Sequence, residues 1–422
     1  MGCAMSMPKD VEVVIPDFHD KYILGLKLGR GAFGQVRIAT PVSKKTLLQD
    51  EDKAVKILDL RDKEDTQKLN SRLVKDSHAE ASMWLNAKNH KNIVQLHEVF
   101  RDARFCYFVM EKCASGLFQF MESLHEFNER SLGNVIAQML HGVAHVHSIG
   151  IVHRDIKADN FLIGGEEGVT VKLNDFGLSA VVPSSGKLQG CVGTSPYMSP
   201  EMLNGNHYDM KTDVWSFAVL AYTLLFGAFP YTPKVKNSKA MREAIVQGKP
   251  PNFQPSRPYG GHMRSNSAVT FAHSLLKRNP AQRPNADEAL NLPYIVAVSN
   301  NRHMLECELP SLRPMLYLAK REGAFEFRDL TKELDIDSLL DDMQNEKWGQ
   351  RSLGKLHTIK TASSSVIGSK ASTCSATASV EPWKNASSSV TTASGNTHTK
   401  SNSPQLSQTS LDSPRPPLAH RA

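Results

Sequence analysis

Asp155 and Asp175 lie 20 residues apart, each inside a run of residue types that suits one kind of chemistry. The first run reads His153-Arg154-Asp155-Ile156-Lys157-Ala158-Asp159-Asn160, and the second reads Asp175-Phe176-Gly177. A carboxylate that orients a hydroxyl, an amide that holds a metal and a second carboxylate for Mg²⁺ form a nearly complete set for moving a γ-phosphoryl group. Upstream, Gly29-Arg30-Gly31-Ala32-Phe33-Gly34-Gln35-Val36 reads GxGxxGxV between two strand-like segments. Glycines let backbone amides approach phosphates closely, and Val36 can pack on a flat ring. The pattern alone also describes a dinucleotide-binding turn, but that turn opens a helix. Here Val36-Arg37-Ile38-Ala39-Thr40-Pro41 is strand-like and ends at proline.

These groups need elements to position them. Ala54-Val55-Lys56-Ile57-Leu58 is an apolar strand interrupted by one lysine. A charge in a buried strand costs roughly several kcal/mol unless it is paired, so Lys56 calls for anions around it. ATP phosphates and a helix carboxylate would supply them. Glu80 is the candidate carboxylate, because Ala81, Met83, Trp84 and Ala87 place apolar groups at helical spacing around it and the strand Ile93-Val94-Gln95-Leu96 follows. An exposed helix glutamate is the commoner reading of such a residue; Lys56 favours the ion pair.

Taken together, these segments resemble the eukaryotic protein kinase family over residues 22 to about 297, in the family's order. The resemblance implies an α+β, bilobal protein kinase fold with a small β-rich amino-terminal lobe and a larger helical carboxy-terminal lobe. It makes Asp155 the catalytic base, Asn160 and Asp175 the Mg²⁺ ligands, and Lys56 the contact to the α- and β-phosphates. Lys157 resembles the mark of the Ser/Thr-specific branch, where it meets the γ-phosphate. Met110-Glu111-Lys112-Cys113 resembles the linker between lobes, with Met110 as gatekeeper and backbone groups of Glu111 and Cys113 reading the adenine edge; Ala54 and Leu162 join the nucleotide-binding set. Gly193-Thr194-Ser195-Pro196-Tyr197-Met198-Ser199-Pro200-Glu201 resembles the segment that seats the substrate, with Thr194 bonding near Asp155. Asp213 resembles the aspartate that holds the catalytic loop's backbone, and Arg283 the buried partner of Glu201.

Departures from the family pattern carry information. Ser199 and Ala218 replace a usual alanine and a usual glycine, and both are small enough to be tolerated. Gly190 lies four residues before Thr194, where many family members carry an activating phosphate, so Arg154 lacks its usual phosphate partner. Ser184 and Ser185 are weaker phosphorylation candidates. The stretch Cys113-Ala114-Ser115-Gly116-Leu117-Phe118 is one residue short, which removes an acid that often contacts ribose and basic substrate residues. Asp159 remains as an acid for a basic residue before the acceptor.

Length and composition bound the rest. The chain of 422 residues is 40% hydrophobic and carries a formal net charge of +7. Residues 353 to 422 hold seven Lys/Arg against two Asp/Glu, so most of the basic excess belongs to this segment, and 25 of its 70 residues are Ser or Thr. Such a composition predicts a disordered tail rather than a nucleic-acid site. The expected organisation is an N-terminal acylated segment at 1–20, a protein kinase domain at 21–297, a C-terminal extension at 298–352 whose mixed apolar and charged stretches, such as Met315-Leu316-Tyr317-Leu318-Ala319-Lys320-Arg321, suit a helix or two, and the tail at 353–422. The six cysteines show no metal or disulfide spacing, which points to a reducing compartment. Val214 to Ala228 is apolar but shorter than the roughly 18 residues a membrane span needs.

Met1-Gly2-Cys3-Ala4-Met5-Ser6 fits the N-myristoylation pattern, with Cys3 as a neighbouring palmitoylation site. Two chains anchor a protein stably where one does not, so the expected place is the cytoplasmic face of a membrane, or the cytoplasm otherwise. Acylation directs attention to the calcium- and calmodulin-dependent kinase group, which the kinase module resembles. The closest calcium-loop match, from Asp335-Ile336-Asp337 to Glu346, has Leu339 and Leu340 where a ligand and the turn glycine belong, so it is not expected to bind Ca²⁺. The expected partners are ATP with Mg²⁺, protein substrates with Ser/Thr acceptors, and membrane lipid through Gly2 and Cys3. A kinase-fold scaffold and a small-molecule kinase are the rival readings; the intact Lys56, Asp155, Asn160 and Asp175 oppose the first, and the segment through Glu201 with Arg283 opposes the second.

Overall fold

The chain divides into two units, Met1–Gln350 and Arg351–Ala422. The computed structural model describes residues 17–31, 34–42, 52–235, 237–253, 264–299 and 311–324, all in the first unit. Gly2, Cys3, Ala32, Phe33, the acidic stretch around Asp335 and the Ser/Thr-rich tail lie outside the described residues.

The unit opens with a helical turn, α1 (Phe18–Lys21), closed by a capping box between Asp17 and Asp20. Its purpose is visible in Phe18, which is buried and stacks on Tyr107 at 4.5 Å. The turn therefore packs with the sheet that follows it. Five antiparallel strands follow: β1 (Tyr22–Gly31), β2 (Gly34–Pro41), β3 (Lys53–Asp59), β4 (Leu96–Arg101) and β5 (Phe105–Met110), in the order β1-β2-β3-β5-β4. The central strand β3 alternates as a pleat requires. Val55 and Ile57 join Phe18, Tyr107 and Val109 in a small core on one face, while Ala54 and Leu58 join the main core on the other. Lys56 shares that second face. Between β3 and β4 lies α2 (Ser71–Ala87), capped by Asn70, whose side chain accepts from the amides of Arg72 and Leu73.

The second lobe is mostly helical. Short strands β6 (Ser115–Gly116), β7 (Ile151–Val152), β8 (Phe161–Gly164), β9 (Thr170–Leu173) and β10 (Ala180–Val181) frame the cleft. Helices α3 (Leu117–Ser123), α4 (Glu129–Ser148), α5 (Pro200–Leu203), α6 (Lys211–Phe226), α7 (Ser238–Gln247), α8 (Asn266–Leu275), α9 (Ala286–Leu290) and α10 (Pro293–Ser299) build the body beneath it. Helix α6 is apolar on nearly every side, and every residue from Thr212 to Phe226 is buried, so it forms the axis of the lobe. It ends at Gly227, whose φ of 75° closes the last turn.

A last helix, α11 (Arg313–Ala324), packs on α6 and α3. Leu312, Met315, Leu316 and Ala319 recur at helical spacing and are buried. Arg313 donates to the carbonyls of Glu122, Leu124 and His125, where α3 ends, at 3.1, 2.5 and 3.3 Å. Part of the extension beyond residue 297 is thus docked on the body. No helix among the described residues is long and apolar enough to cross a membrane, and Cys106, Cys113 and Cys191 are free thiols.

Candidate active site

Two elements distant in sequence converge on Lys56 of β3. Its Nζ lies 2.7 Å from Glu80 Oε1 on α2 and 2.7 Å from Asp175 Oδ1 just after β9. Burial pulls the ammonium down, but the two carboxylates outweigh it and hold Lys56 above its usual range. One cation serves two acids. Burial likewise pushes Asp175 up, yet the neighbouring Lys56 leaves it below the ordinary carboxylate value. Glu80, more deeply buried, ends above its ordinary value, with burial the largest cause. The Asp175 side chain keeps 25% of its surface exposed against 4% for Glu80, so it is the carboxylate open to the cleft.

The catalytic-loop residues are equally constrained. Asp155 Oδ1 accepts from Thr194 Oγ1 at 2.7 Å, and Oδ2 accepts from Asn160 Nδ2 at 3.1 Å. Lys157 Nζ bridges the same pair, 3.0 Å from Thr194 Oγ1 and 3.3 Å from Asp155 Oδ2. Underneath, the fully buried Asp213 accepts from the backbone amides of His153 at 2.7 Å and Arg154 at 2.8 Å, and pairs with His147 at 3.0 Å. Burial would raise its pKa, but these partners keep it below the ordinary range. Arg154 and Asp175 take positive φ values of 66° and 63°, a conformation side chains disfavour and which clusters where surroundings over-determine the backbone. Asp213 and Lys56 supply that determination. Phe176 stacks on Trp84 at 5.7 Å, beneath α2.

The glycines of the first motif divide by role. A Cβ on Gly34 would meet the Ile57 carbonyl oxygen at 2.2 Å, so close strand approach alone requires glycine there. A Cβ on Gly29 would meet nothing within 4 Å, so its own chain does not require the glycine. The backbone of Arg30 and Gly31 continues β1, with Gly29 opposite Val36 and Val36 opposite Lys56. Ala54 pairs with Met110 on β5, and both are buried; Leu162 on β8 is half-buried and packs against the core cluster that contains them.

The family model for the protein kinase domain matches residues 22–295. The chain belongs to the protein kinase family. A Dictyostelium discoideum protein named "Probable myosin light chain kinase" is 32% identical over 286 residues, covering 67% of this chain and 84% of that one. CDPK-related kinase 8 of Arabidopsis thaliana is 32% identical over 292 residues, 68% of this chain but only 46% of the relative's length. A calcium/calmodulin-dependent protein kinase type 1 of Macrobrachium nipponense is 33% identical over 288 residues, 67% of this chain and 76% of the relative. The bilobal α+β fold follows from this membership, and the similarity to these kinases gives the serine/threonine protein kinase class.

Other kinase positions show contacts that sequence reading missed. Glu111 in the linker takes the Gln95 amide at 3.0 Å and pairs with Lys172 on β9 at 2.8 Å. Lys172 offers the signal that Lys56 offers, a lysine inside an apolar strand, and could have been found the same way. The Glu111 amide donates to the Gln95 carbonyl at 2.9 Å, which ties the linker to the segment before β4. Ser199 is more than a tolerated small residue: it caps α5 and bonds Thr212 at 2.8 Å. Arg283 meets Glu201 with two bonds of 2.6 Å, and Asp159 is exposed.

Proposed function

We propose that this chain transfers the γ-phosphoryl group of ATP to serine or threonine hydroxyls of protein substrates. The observation that carries the reading is the Asp155-Thr194-Lys157 cluster, with Thr194 bonded to Asp155 and Lys157 touching both. In this reading Asp155 orients the acceptor hydroxyl and takes its proton, while Lys157 offsets charge on the group in transfer. Thr194 ties the substrate-seating segment to the base.

Lys56 would neutralise the α- and β-phosphates, its pairing with Glu80 keeping it charged and aimed. Asn160 and Asp175 suit Mg²⁺, because both offer hard oxygen ligands and the Asn160 nitrogen is already committed to Asp155. When bound, Mg²⁺ would neutralise charge on the β- and γ-phosphate oxygens. The adenine ring would lie between Val36 and Ala54 on one side and Leu162 on the other, with Met110 at the back and the Glu111 carbonyl and Cys113 amide at its edge. Backbone amides from Gly29 to Gly34, including Arg30, Gly31, Ala32 and Phe33, would cover the phosphates.

The catalytic unit in this reading runs from about Asp17 to Ala324, since Phe18 and α11 both contribute to its packed interior. Acylation at Gly2 and Cys3, with residence at the cytoplasmic face of a membrane, is supported by the terminal sequence pattern. Gly2→Ala would then release the protein to the soluble fraction, and a variant that stays on membranes in high salt would overturn this part. The phosphoryl-transfer reading is tested by incubating the purified full chain with Mg·ATP and a degenerate Ser/Thr peptide library. Incorporation at Ser or Thr is expected, with enrichment of basic residues before the acceptor if Asp159 selects them; no incorporation by folded protein would overturn it.

A further inference from the structure

Gly190 carries no hydroxyl, yet the segment around it is not left loose. The backbone of Leu188 exchanges two hydrogen bonds with that of Tyr208, at 2.7 and 3.0 Å. Lys187 pairs with Asp209 at 2.6 Å, and Gln189 meets His207 at 2.6 Å. Three consecutive residues before Gly190 are thus fastened to three consecutive residues ahead of α6. The Tyr208 side chain is 2% exposed and packs with Met198 and Met202, with Leu188 and Val192 against them. Its hydroxyl donates to the Gln189 carbonyl at 3.2 Å and accepts from Arg154 Nη1 at 3.3 Å. The rest of that guanidinium is also taken: Nε donates to Leu178 O at 2.6 Å and Nη2 to Ser179 O at 3.2 Å.

Arg154 immediately precedes Asp155 and holds a left-handed backbone, and the segment returns beside it. A Cβ on Gly193, where φ is 110°, would lie 2.5 Å from the Arg154 carbonyl oxygen. Any shift of the Leu188-Gln189 stretch is therefore felt at Arg154 and, through Gly193 and Thr194, at Asp155.

We infer that Tyr208 is a positioning residue for phosphoryl transfer: its hydroxyl occupies the place on Arg154 that an activating phosphate would take, and its backbone clamps Leu188, so the segment is set for catalysis without phosphorylation. This rests on the phosphoryl-transfer reading given above. The phenol joins the arginine to the segment as a phosphate would, with a neutral group that needs no upstream kinase. Deleting one hydroxyl removes two moderate hydrogen bonds while leaving the ring to fill its pocket.

The test uses full-length protein made in bacteria and treated with phosphatase, as wild type, Tyr208→Phe and Asp209→Asn. Two readouts are taken: steady-state kinetics on a Ser/Thr peptide, and the rate at which trypsin cuts the Lys187–Leu188 bond, followed by mass spectrometry. Wild type keeps its activity after phosphatase and protects the bond. Tyr208→Phe loses about tenfold in kcat and gains about tenfold in cleavage, with KM for ATP changed by less than about twofold. Asp209→Asn, which keeps an acceptor for the Lys211 amide, loses about threefold in the same direction because it removes one partly exposed ion pair. The inference is overturned by Tyr208→Phe matching wild type in both readouts, by wild type losing its activity on dephosphorylation, or by a kcat loss that comes only with a matching rise in KM for ATP. Should Tyr208→Phe fail to fold, Asp209→Asn decides on the same two readouts. If wild type transfers no phosphate at all, that failure belongs to the functional reading, and the cleavage readout alone still decides whether Tyr208 holds the segment.

Discussion

Lys56 in the first lobe and Arg283 in the second are both cations buried against carboxylates, and the difference between them separates chemistry from architecture. Arg283 meets Glu201 through two bonds, donates to the carbonyls of Lys277, Lys211 and Arg278, and lies 5.0 Å from the Trp215 ring centroid. Its hydrogen-bonding capacity is spent within the fold. Lys56 instead has two carboxylates on elements 24 and 119 residues away, one of them partly open to the cleft. An ion cluster with an excess acid at its exposed end is incomplete by itself and ready for a cation and phosphates, whereas a fully satisfied pair is ready for nothing further.

The largest difference between the two clusters is expected at Asp175. Asp175→Asn is expected to lower phosphoryl transfer by about 10³-fold, while the melting temperature falls by no more than about 3 °C, because the site loses charge but no packing. Wild-type turnover in a clean preparation would mean that the Lys56 cluster is architectural, as the Arg283 pair is.

The opposite signature is expected at Arg283. Arg283→Met leaves Glu201 buried and unpaired, which destabilises the fold by about 3–5 kcal/mol on denaturant unfolding. Activity of the remaining folded fraction at low temperature should stay within a few-fold of wild type. Adding Glu201→Leu should recover much of the stability, since removing both charges also removes the uncompensated one; a double variant no better than the single would mean the pair does more than hold the lobe.

A smaller effect is expected beside that pair. Ser199→Ala deletes the cap of α5 and the bond to Thr212, and should cost about 1 kcal/mol with little change in KM for ATP.

The smallest effect is on pH dependence, and it belongs to neither ion cluster. Lys56 is held above its unfolded value, so its contribution is complete below about pH 10 and fades only at higher pH. Asp175 is held below its unfolded value, so its contribution is complete above about pH 4 and fades only as pH falls further. Between those limits His90 dominates the expectation: burial first, then His145, His141 and Lys91, push it down to about 4. Its ring stacks on His145 at 4.4 Å. The unfolded chain takes up this proton near pH 6.5 and the folded chain only near 4, so stability should decline as pH falls through that window. Melts at pH 7 and pH 5 should show a larger drop for wild type than for His90→Asn, which keeps an acceptor for the Asn92 amide. Equal drops would assign the acid sensitivity elsewhere.

How much of this was legible in the sequence depends on whether a residue's partner is announced locally. The cleft motifs were legible because each is a short run with its own chemical logic, and the structure joins Lys56, Glu80 and Asp175 in one bonded cluster and Asp155, Lys157, Asn160 and Thr194 in another. The spacing of Met315, Leu316 and Ala319 announced a helix, but the surface it covers, from Gly227 to the end of α3, is assembled from segments far apart in sequence. Tyr208 was illegible for the same reason: nothing near His207-Tyr208-Asp209 indicates that it lies across from Leu188 or under Arg154. The positive φ angles of Arg154 and Asp175 were equally hidden, since only tertiary contacts hold non-glycine residues there. Phe18 is the exception that local reading could have reached, for Asp17 and Asp20 spell a capping box around it.

Asp155 acts, in this reading, on the acceptor hydroxyl and not on the nucleotide. Asp155→Asn separates the two, because an asparagine keeps the size and one acceptor oxygen while losing the base. Calorimetry with Mg·ATP should give a dissociation constant within about threefold of wild type, and transfer to a Ser/Thr peptide should fall by about 10²–10⁴-fold. Transfer at the wild-type rate by Asp155→Asn, with nucleotide binding intact, would contradict the account.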